Sequence, residues 1–219
     1  MIRCLDIHTH HPAPQPEGVV SVSIRSFNPI GGQFYSLGIH PWDTGGVIED
    51  DLWNKFKKLA ASPSVVAIGE CGIDKFKGGP VYRQMIVMQR QIEISEELNK
   101  PLIIHDVKAH DIIVGLKRDL KPSQPWVIHG FRGKPSLAKM MTDAGIYLSF
   151  GEKFNPETPL TVPPHLILAE TDESPLSIQQ IIAGLSSNMG RDITSLIQLN
   201  TRIFLFGSRC DLKIENDEF

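Results

Sequence analysis

Cysteine is scarce in this chain. Cys4, Cys71 and Cys210 form an odd, widely spaced set with no CxxC pair. That argues against a disulfide framework and for a reducing compartment, with the cytoplasm as the expected location. Long apolar runs are also missing, and no stretch approaches the roughly 18 residues of a membrane span. The opening Met1-Ile2-Arg3-Cys4-Leu5-Asp6 moves directly into a strand-like pattern, without the basic-then-apolar layout of a signal peptide. Nor is there a basic excess: the formal net charge is -3. A protein that grips long nucleic acid usually carries one, so any nucleic-acid contact is expected to be short and local. Repeats and low-complexity tracts are absent.

What is present is an ordinary globular composition, 41% hydrophobic and 21% charged over 219 residues, which fits one domain with one core. Short apolar runs alternate with longer segments of helical period, the signature of βα units and a parallel sheet. Strands are expected at 2–7, 19–24, 34–39, 65–69, 102–104, 126–128, 146–149 and 166–169. Helices are expected at 50–61, 81–98, 109–119, 135–143, 177–187 and 192–206. Eight strands suggest an α/β fold of the TIM type. Two features make that (β/α) barrel irregular or abbreviated. The proline-rich His11-Pro12-Ala13-Pro14-Gln15-Pro16 leaves no helix after the first strand. Only a short turn, Asn28-Pro29-Ile30-Gly31-Gly32, separates the second and third strands, whereas a parallel crossover usually needs a dozen or more residues. Those two strands are expected either to pair as an antiparallel hairpin or to mark an abbreviated barrel. The barrel domain is expected to occupy 1–212, with 213–219 a flexible acidic tail.

The chemistry begins at Asp6-Ile7-His8-Thr9-His10. Alternation along a strand puts Asp6, His8 and His10 on one face. Two imidazoles about one strand repeat apart (~6.6 Å) can close on one ion. An HxH pair is common, and alone it also fits two satisfied polar residues. Four more polar residues change the balance. Glu70 follows Val65-Val66-Ala67-Ile68-Gly69, His105 follows Leu102-Ile103-Ile104, His129 follows Trp126-Val127-Ile128, and Asp172 follows the last apolar run. Each lies just beyond a different expected strand, and barrel enzymes gather their catalytic groups at the C-terminal strand ends. Four imidazoles and two carboxylates without a thiolate suit two divalent ions, of Zn, Mn, Mg or Fe, better than a closed structural zinc site. A two-metal site clamps the attacking and leaving oxygens of a hydrolysis and brings the pKa of water toward about 7.

The ordered set of motifs resembles the TatD family of metal-dependent deoxyribonucleases, within the amidohydrolase-like barrels. The motifs are Asp6-Ile7-His8-Thr9-His10, Gly38-Ile39-His40-Pro41, Gly69-Glu70-Cys71-Gly72-Ile73-Asp74, Pro101-Leu102-Ile103-Ile104-His105, His129-Gly130-Phe131-Arg132-Gly133 and Glu170-Thr171-Asp172-Glu173-Ser174-Pro175. The resemblance implies that His8, His10 and Asp172 hold one metal, that His105 and His129 hold the other, and that Glu70 bridges them. It also implies that Asp172 positions the attacking water or takes its proton, and that the bond cleaved is a phosphodiester. Many amidohydrolase-like barrels place a modified lysine where Glu70 stands, which favours the TatD-like branch.

The chain departs from the family pattern at three residues and in lacking the early helices. Val107, followed by Lys108, stands where the family usually has an arginine. Arg132 replaces a serine, and Lys75 replaces an aromatic. Arg132, Lys134 and Lys153 fall just after expected strands and are candidate contacts to substrate phosphate, as is His40. Equally, the three basic residues fit solvated surface charges, and His40 fits a loop-ordering role before Pro41. Asp74 and Asp6 are expected to support the ligands from behind. His11 and His110 read as solvated or helix-face residues, Cys71 as a structural thiol, and Trp42, Trp53 and Trp126 as packing residues, with Trp42 able to reach the mouth. The expected partner is a phosphate-bearing small molecule or short single-stranded DNA, with no membrane. The alternative is a metal-dependent hydrolase of a phosphomonoester, lactone or amide.

Overall fold

The structure, a computed structural model, describes residues 4–11 and 17–207. Eight strands, β1 (Asp6–Thr9), β2 (Gly18–Ser23), β3 (Phe34–Gly38), β4 (Val65–Asp74), β5 (Leu102–Val107), β6 (Trp126–Ile128), β7 (Tyr147–Phe150) and β8 (Ile167–Ala169), close into a barrel in sequence order. Every neighbouring pair is parallel, including β8 with β1. Six α-helices accompany them: α1 (Asp50–Ala60), α2 (Val81–Leu98), α3 (His110–Leu120), α4 (Pro135–Asp143), α5 (Ile178–Met189) and α6 (Thr194–Phe206). One helix follows each of β3 to β6, two follow β8, and β7 reaches β8 through short 3-10 turns only. The irregular barrel expected from the sequence is therefore what forms.

The hairpin alternative for β2 and β3 is not realised. They pair in parallel from Val19↔Phe34 to Ser23↔Gly38. The connection, 24–33, returns without a helix. Ten extended residues reach roughly 33 Å, more than the ~20 Å length of a six-residue strand, so a bare loop suffices. The loop lies down through its own contacts. Phe27 packs edge-to-face on Tyr35 at 5.5 Å, the Ile30 amide donates to the Tyr35 hydroxyl at 3.0 Å, and the Gln33 side chain donates to the Gly18 and Phe34 carbonyls.

The first strand starts later than expected. Both the Leu5 and Asp6 amides donate to the Glu17 carbonyl, and ladder pairing begins at Asp6↔Gly18. Residues 1–3, Cys210 and the expected tail 213–219 lie outside the described residues. β4 and β5 run longer than the apolar runs that announce them, so Glu70, Asp74 and His105 lie inside strands rather than beyond them. Glycine makes this possible. Gly72 has φ 142°, and a Cβ there would sit 2.0 Å from the His105 carbonyl oxygen. No other residue permits that approach.

A large apolar layer fills the space between strands and helices, with Phe56, Met88, Trp126 and Phe150 fully buried in it. A smaller cluster includes Val19, Ile103, Val127 and Leu168 and is joined by Phe204 and Leu205 of α6. Strand period places Ile103, Val127 and Leu168 on the same faces as His105, His129 and Glu170, two residues on. The polar site therefore stands directly on an apolar floor. No helix among the described residues is long and apolar enough to cross a membrane.

Candidate metal centre

All six candidate ligands converge. Glu70, 7% exposed, stands at the middle, and its two oxygens face different partners. Oε1 lies 2.8 Å from His105 Nδ1, 2.8 Å from His129 Nε2 and 3.1 Å from His40 Nε2. Oε2 lies 3.5 Å from His8 Nε2 and 3.6 Å from His10 Nε2. Asp172 Oδ1 completes the second group, 3.7 Å from His8 Nε2 and 3.6 Å from His10 Nε2. Two ligands bound at about 2.0–2.1 Å to one tetrahedral ion stand about 3.4 Å apart. The His8, His10, Asp172 and Glu70 group has that spacing, too long for hydrogen bonds and right for a shared cation. The His105, His129 and Glu70 group is drawn in to hydrogen-bond distance.

The polar atoms left without partners support the same reading. Both nitrogens of His8, which is fully buried, lack a hydrogen bond, and Nε2 is the one that faces Glu70 and Asp172. Orphaned buried nitrogens are costly unless something else meets them. Burial, joined by the neighbouring His129, depresses the His8 pKa well below the ordinary imidazole value and keeps the ring in its neutral, lone-pair-bearing form. Burial also works against the Glu70 carboxylate, but His129, His10 and His105 more than reverse it and hold the group ionised. For His129, burial opposes protonation, yet Glu70 and Glu170 win and raise its pKa well above the usual value. A site that gathers this much negative charge around imidazoles is built for a cation, and the donor set fits divalent metal.

Local backbone aims these groups. Asp172 adopts φ 53°, a left-handed conformation rare outside glycine, and is pinned to β1 on both sides. Its amide donates to the His8 carbonyl at 2.9 Å, and its own carbonyl accepts from the His10 amide at 3.1 Å. Asp6 ties the same junction. Its carboxylate accepts from the His8 amide, the Thr171 amide and, at 2.6 Å, the Thr171 hydroxyl. Burial raises its pKa to about 7 in spite of those bonds.

Behind the ligands stand further carboxylates. Asp74 Oδ2 lies 3.5 Å from His105 Nε2 and accepts from the Trp42 indole at 2.7 Å. Glu170 Oε1 lies 3.5 Å from His129 Nδ1 and accepts from the Gly130 amide at 2.6 Å. Asp6 and Asp74 match their expected supporting places. The sequence signals no separate role for Glu170, which stands just beyond β8 and two residues before Asp172. His40 Nδ1 accepts from the Trp42 amide, so its Nε2 carries the proton donated to Glu70.

The substrate candidates separate. Arg132 and Lys134 line a cavity of about 710 Å³ together with His105, His129 and Asp172. Lys153 lies apart from Lys134, in a cleft of about 220 Å³ that Arg132 and Asp172 also border. Half-exposed Trp42 reaches the mouth and lines a third cavity of about 470 Å³ with His40 and Glu70. Trp126 is fully buried, and burial pushes the Cys71 thiol up and out of reach of nucleophilic chemistry.

The profile of the TatD related DNase family matches residues 23–186. The chain belongs to that family. The matched span contains Glu70, His105, His129 and Asp172, and the fold brings in His8 and His10 from outside it. Relatives include the uncharacterized metal-dependent hydrolase YabD of Bacillus subtilis, 34% identical over 149 residues, which cover 64% of this chain and 58% of that protein. The 3'-5' ssDNA/RNA exonuclease TatD of Erwinia billingiae is 30% identical over 149 residues, 60% of this chain and 57% of that protein. The chain spans about half the length of the curated relatives it matches. Among family folds already solved, the TatD homologue YJJV of Escherichia coli superposes with a TM-score of 0.78 at 19% identity, over 93% of this chain and 98% of that one. A TatD family hydrolase of Entamoeba histolytica gives 0.73 at 14% identity, over 94% and 99%.

Proposed function

We propose that this chain is a metal-dependent hydrolase that cleaves phosphodiester bonds in short single-stranded nucleic acid or small nucleotides. The observation that carries the reading is the division of Glu70, with one oxygen toward His105 and His129 and the other toward His8 and His10. A carboxylate so placed bridges two sites. In this reading His8, His10 and Asp172 hold one divalent ion, His105 and His129 hold a second, and Glu70 serves both. When bound, such a pair supplies Lewis-acid polarisation of the phosphoryl group and acidifies the attacking water.

The chain's own residues do the rest. Asp172, on its pinned turn, orients the water and accepts its proton. Arg132 grips non-bridging phosphate oxygens with its planar fork. His40 donates to Glu70 and steadies the bridge, while Asp74 and Glu170 fix the rings of His105 and His129. The name of the Erwinia relative supports single-stranded substrates, and cavities of about 710 and 470 Å³ suit one or two nucleotide units. The free thiols of Cys4 and Cys71 support a reducing compartment, the cytoplasm.

Elemental analysis together with a substrate panel tests the proposal. The expected result is close to two divalent ions per chain and turnover of single-stranded ends, dinucleotides or aryl phosphodiesters that stops on chelation. Turnover of lactones or amides, with none of phosphate esters, would replace the phosphodiester reading with the small-molecule one.

A further inference from the structure

The geometry points to a second anion-binding wall beside the metal centre, made by Lys108 and His110 at the β5–α3 turn and Lys134 at the β6–α4 turn, beyond the Arg132 that serves the reacting phosphate. It takes a negatively charged group of the substrate other than the one cleaved. The inference rests on the phosphodiester reading above and extends it to a substrate with a second phosphate.

Four basic residues line the 710 Å³ cavity that the candidate ligands His105, His129 and Asp172 also line. Among the described residues, Lys108, Arg132 and Lys134 have no ion-pair partner. Exposed unpaired lysines are common, so the deciding features lie in the turn that carries them. The Asp106 side chain is fully buried, and both its oxygens are committed. Oδ1 accepts from the Ala109 amide at 3.0 Å, and Oδ2 meets His110 Nδ1 at 2.5 Å. A buried carboxylate bound to one ring nitrogen fixes the ring in place along the cavity wall. Lys108 is held at φ 58°, a left-handed conformation uncommon in a non-glycine residue.

The opposite side of the metal centre is different. The 470 Å³ cavity meets the same His105, His129 and Asp172, but its lining includes Ser21, Ser23, Trp42, Asp43 and Glu173 and no lysine or arginine. A substrate lying across the centre therefore meets lysine and arginine in the lining of the larger cavity only, since Lys77 beside the smaller one is turned onto the Trp42 ring. Its second phosphate belongs in the larger cavity, and an uncharged sugar or base belongs in the smaller one, against hydroxyls and an indole.

The test uses the metal-loaded full chain and three thymidine dinucleotides: one without a terminal phosphate, one with a 5′-phosphate and one with a 3′-phosphate. At least one phosphorylated form is expected to show a kcat/KM about tenfold or more above the unphosphorylated one. That preference should fall below about threefold in Lys108→Ala and in His110→Ala and persist in the surface control Lys139→Ala. Equal cleavage of all three, or a preference that survives both substitutions, overturns the wall and leaves the phosphodiester reading intact. If none is cleaved, the phosphodiester reading fails, and calorimetric binding of the same dinucleotides decides the wall separately. A tenfold binding preference lost in Lys108→Ala upholds it, and its absence overturns it.

Discussion

Glu70 and Asp172 differ in how they are held, and that difference sets what each substitution does. Glu70 is buried among five imidazoles, so removing its charge would strip the proposed centre of its shared ligand. Asp172 sits at the rim, 30% exposed, with one oxygen toward His8 and His10. An asparagine there keeps the shape and an oxygen donor but loses the basic site. Asp172→Asn is therefore expected to keep most of its metal and to lose at least about a hundredfold in turnover, the lower range for a proton-transfer group. Near-normal turnover at full metal occupancy would remove Asp172 from its role. Glu170 makes a different prediction because it acts through His129. Its Oε2 is buried without a hydrogen-bond partner while Oε1 holds the Gly130 amide. Glu170→Gln should weaken metal affinity by about 10–100-fold, as loss of an outer carboxylate usually does. Competition against a fluorescent chelator measures it, and an unchanged affinity would show that the contact to His129 is incidental.

Strand β4 shows where sequence reading stops. Its apolar run Val65-Val66-Ala67-Ile68 announces a strand, and Glu70 is legible as a candidate ligand from its place just after that run. The continuation to Asp74 is not legible, because Gly69 and Gly72 signal a break in a sequence and act here as close-approach positions. The β4–β5 register shifts between Ile68 and Cys71, then resumes through Asp74↔Val107. The same blindness hid the β2–β3 crossover, where 24–33 looks like a turn because no helical period fills it. It also hid the His110–Asp106 pair. His110 reads as a helix-face residue from its spacing, and only the fold shows a buried carboxylate four residues back along the turn. By contrast the HxH strand, the polar residues that follow the apolar runs of β5 and β6 and the bounds of α2 and α4 follow from periodicity alone. The glycine argument is testable. Gly72→Ala would push a methyl into the His105 carbonyl, which is backbone and cannot swing aside. We expect a loss of roughly 2–4 kcal/mol of stability, in the range of strained-backbone and overpacking substitutions, together with lower metal affinity as His105 shifts. Denaturant titration with and without metal separates the two effects, and a wild-type midpoint would show that the strands part at little cost.

Across the whole barrel, the centre joins β1, β4, β5, β6 and the turn after β8, so its occupancy is linked to the closure of the fold. A ligand that binds only the folded state at about a hundred times its Kd adds about 2.7 kcal/mol. For a chain of this length each kcal/mol is worth about 2–4 °C, so chelation should lower Tm by roughly 5–10 °C, with recovery on adding zinc or manganese. An identical Tm in both conditions would argue that no resident metal is lost. The charge distribution gives a second test of the molecule as a unit. The net charge of -3 supplies no broad attractive field, and the unpaired cations named above are gathered around the mouth. Each phosphate neutralised on a single strand contributes about 0.7 to the slope of log affinity against log salt. Two or three contacts, as the cavity sizes suggest, give a slope of about -1.4 to -2.1, and lengthening the oligonucleotide beyond a few units should not steepen it. A slope implying six or more contacts, steeper than about -4, would mean that nucleic acid runs well outside the described cavities. The short-substrate reading would then fall, while the metal centre, which depends on none of those surface charges, would stand.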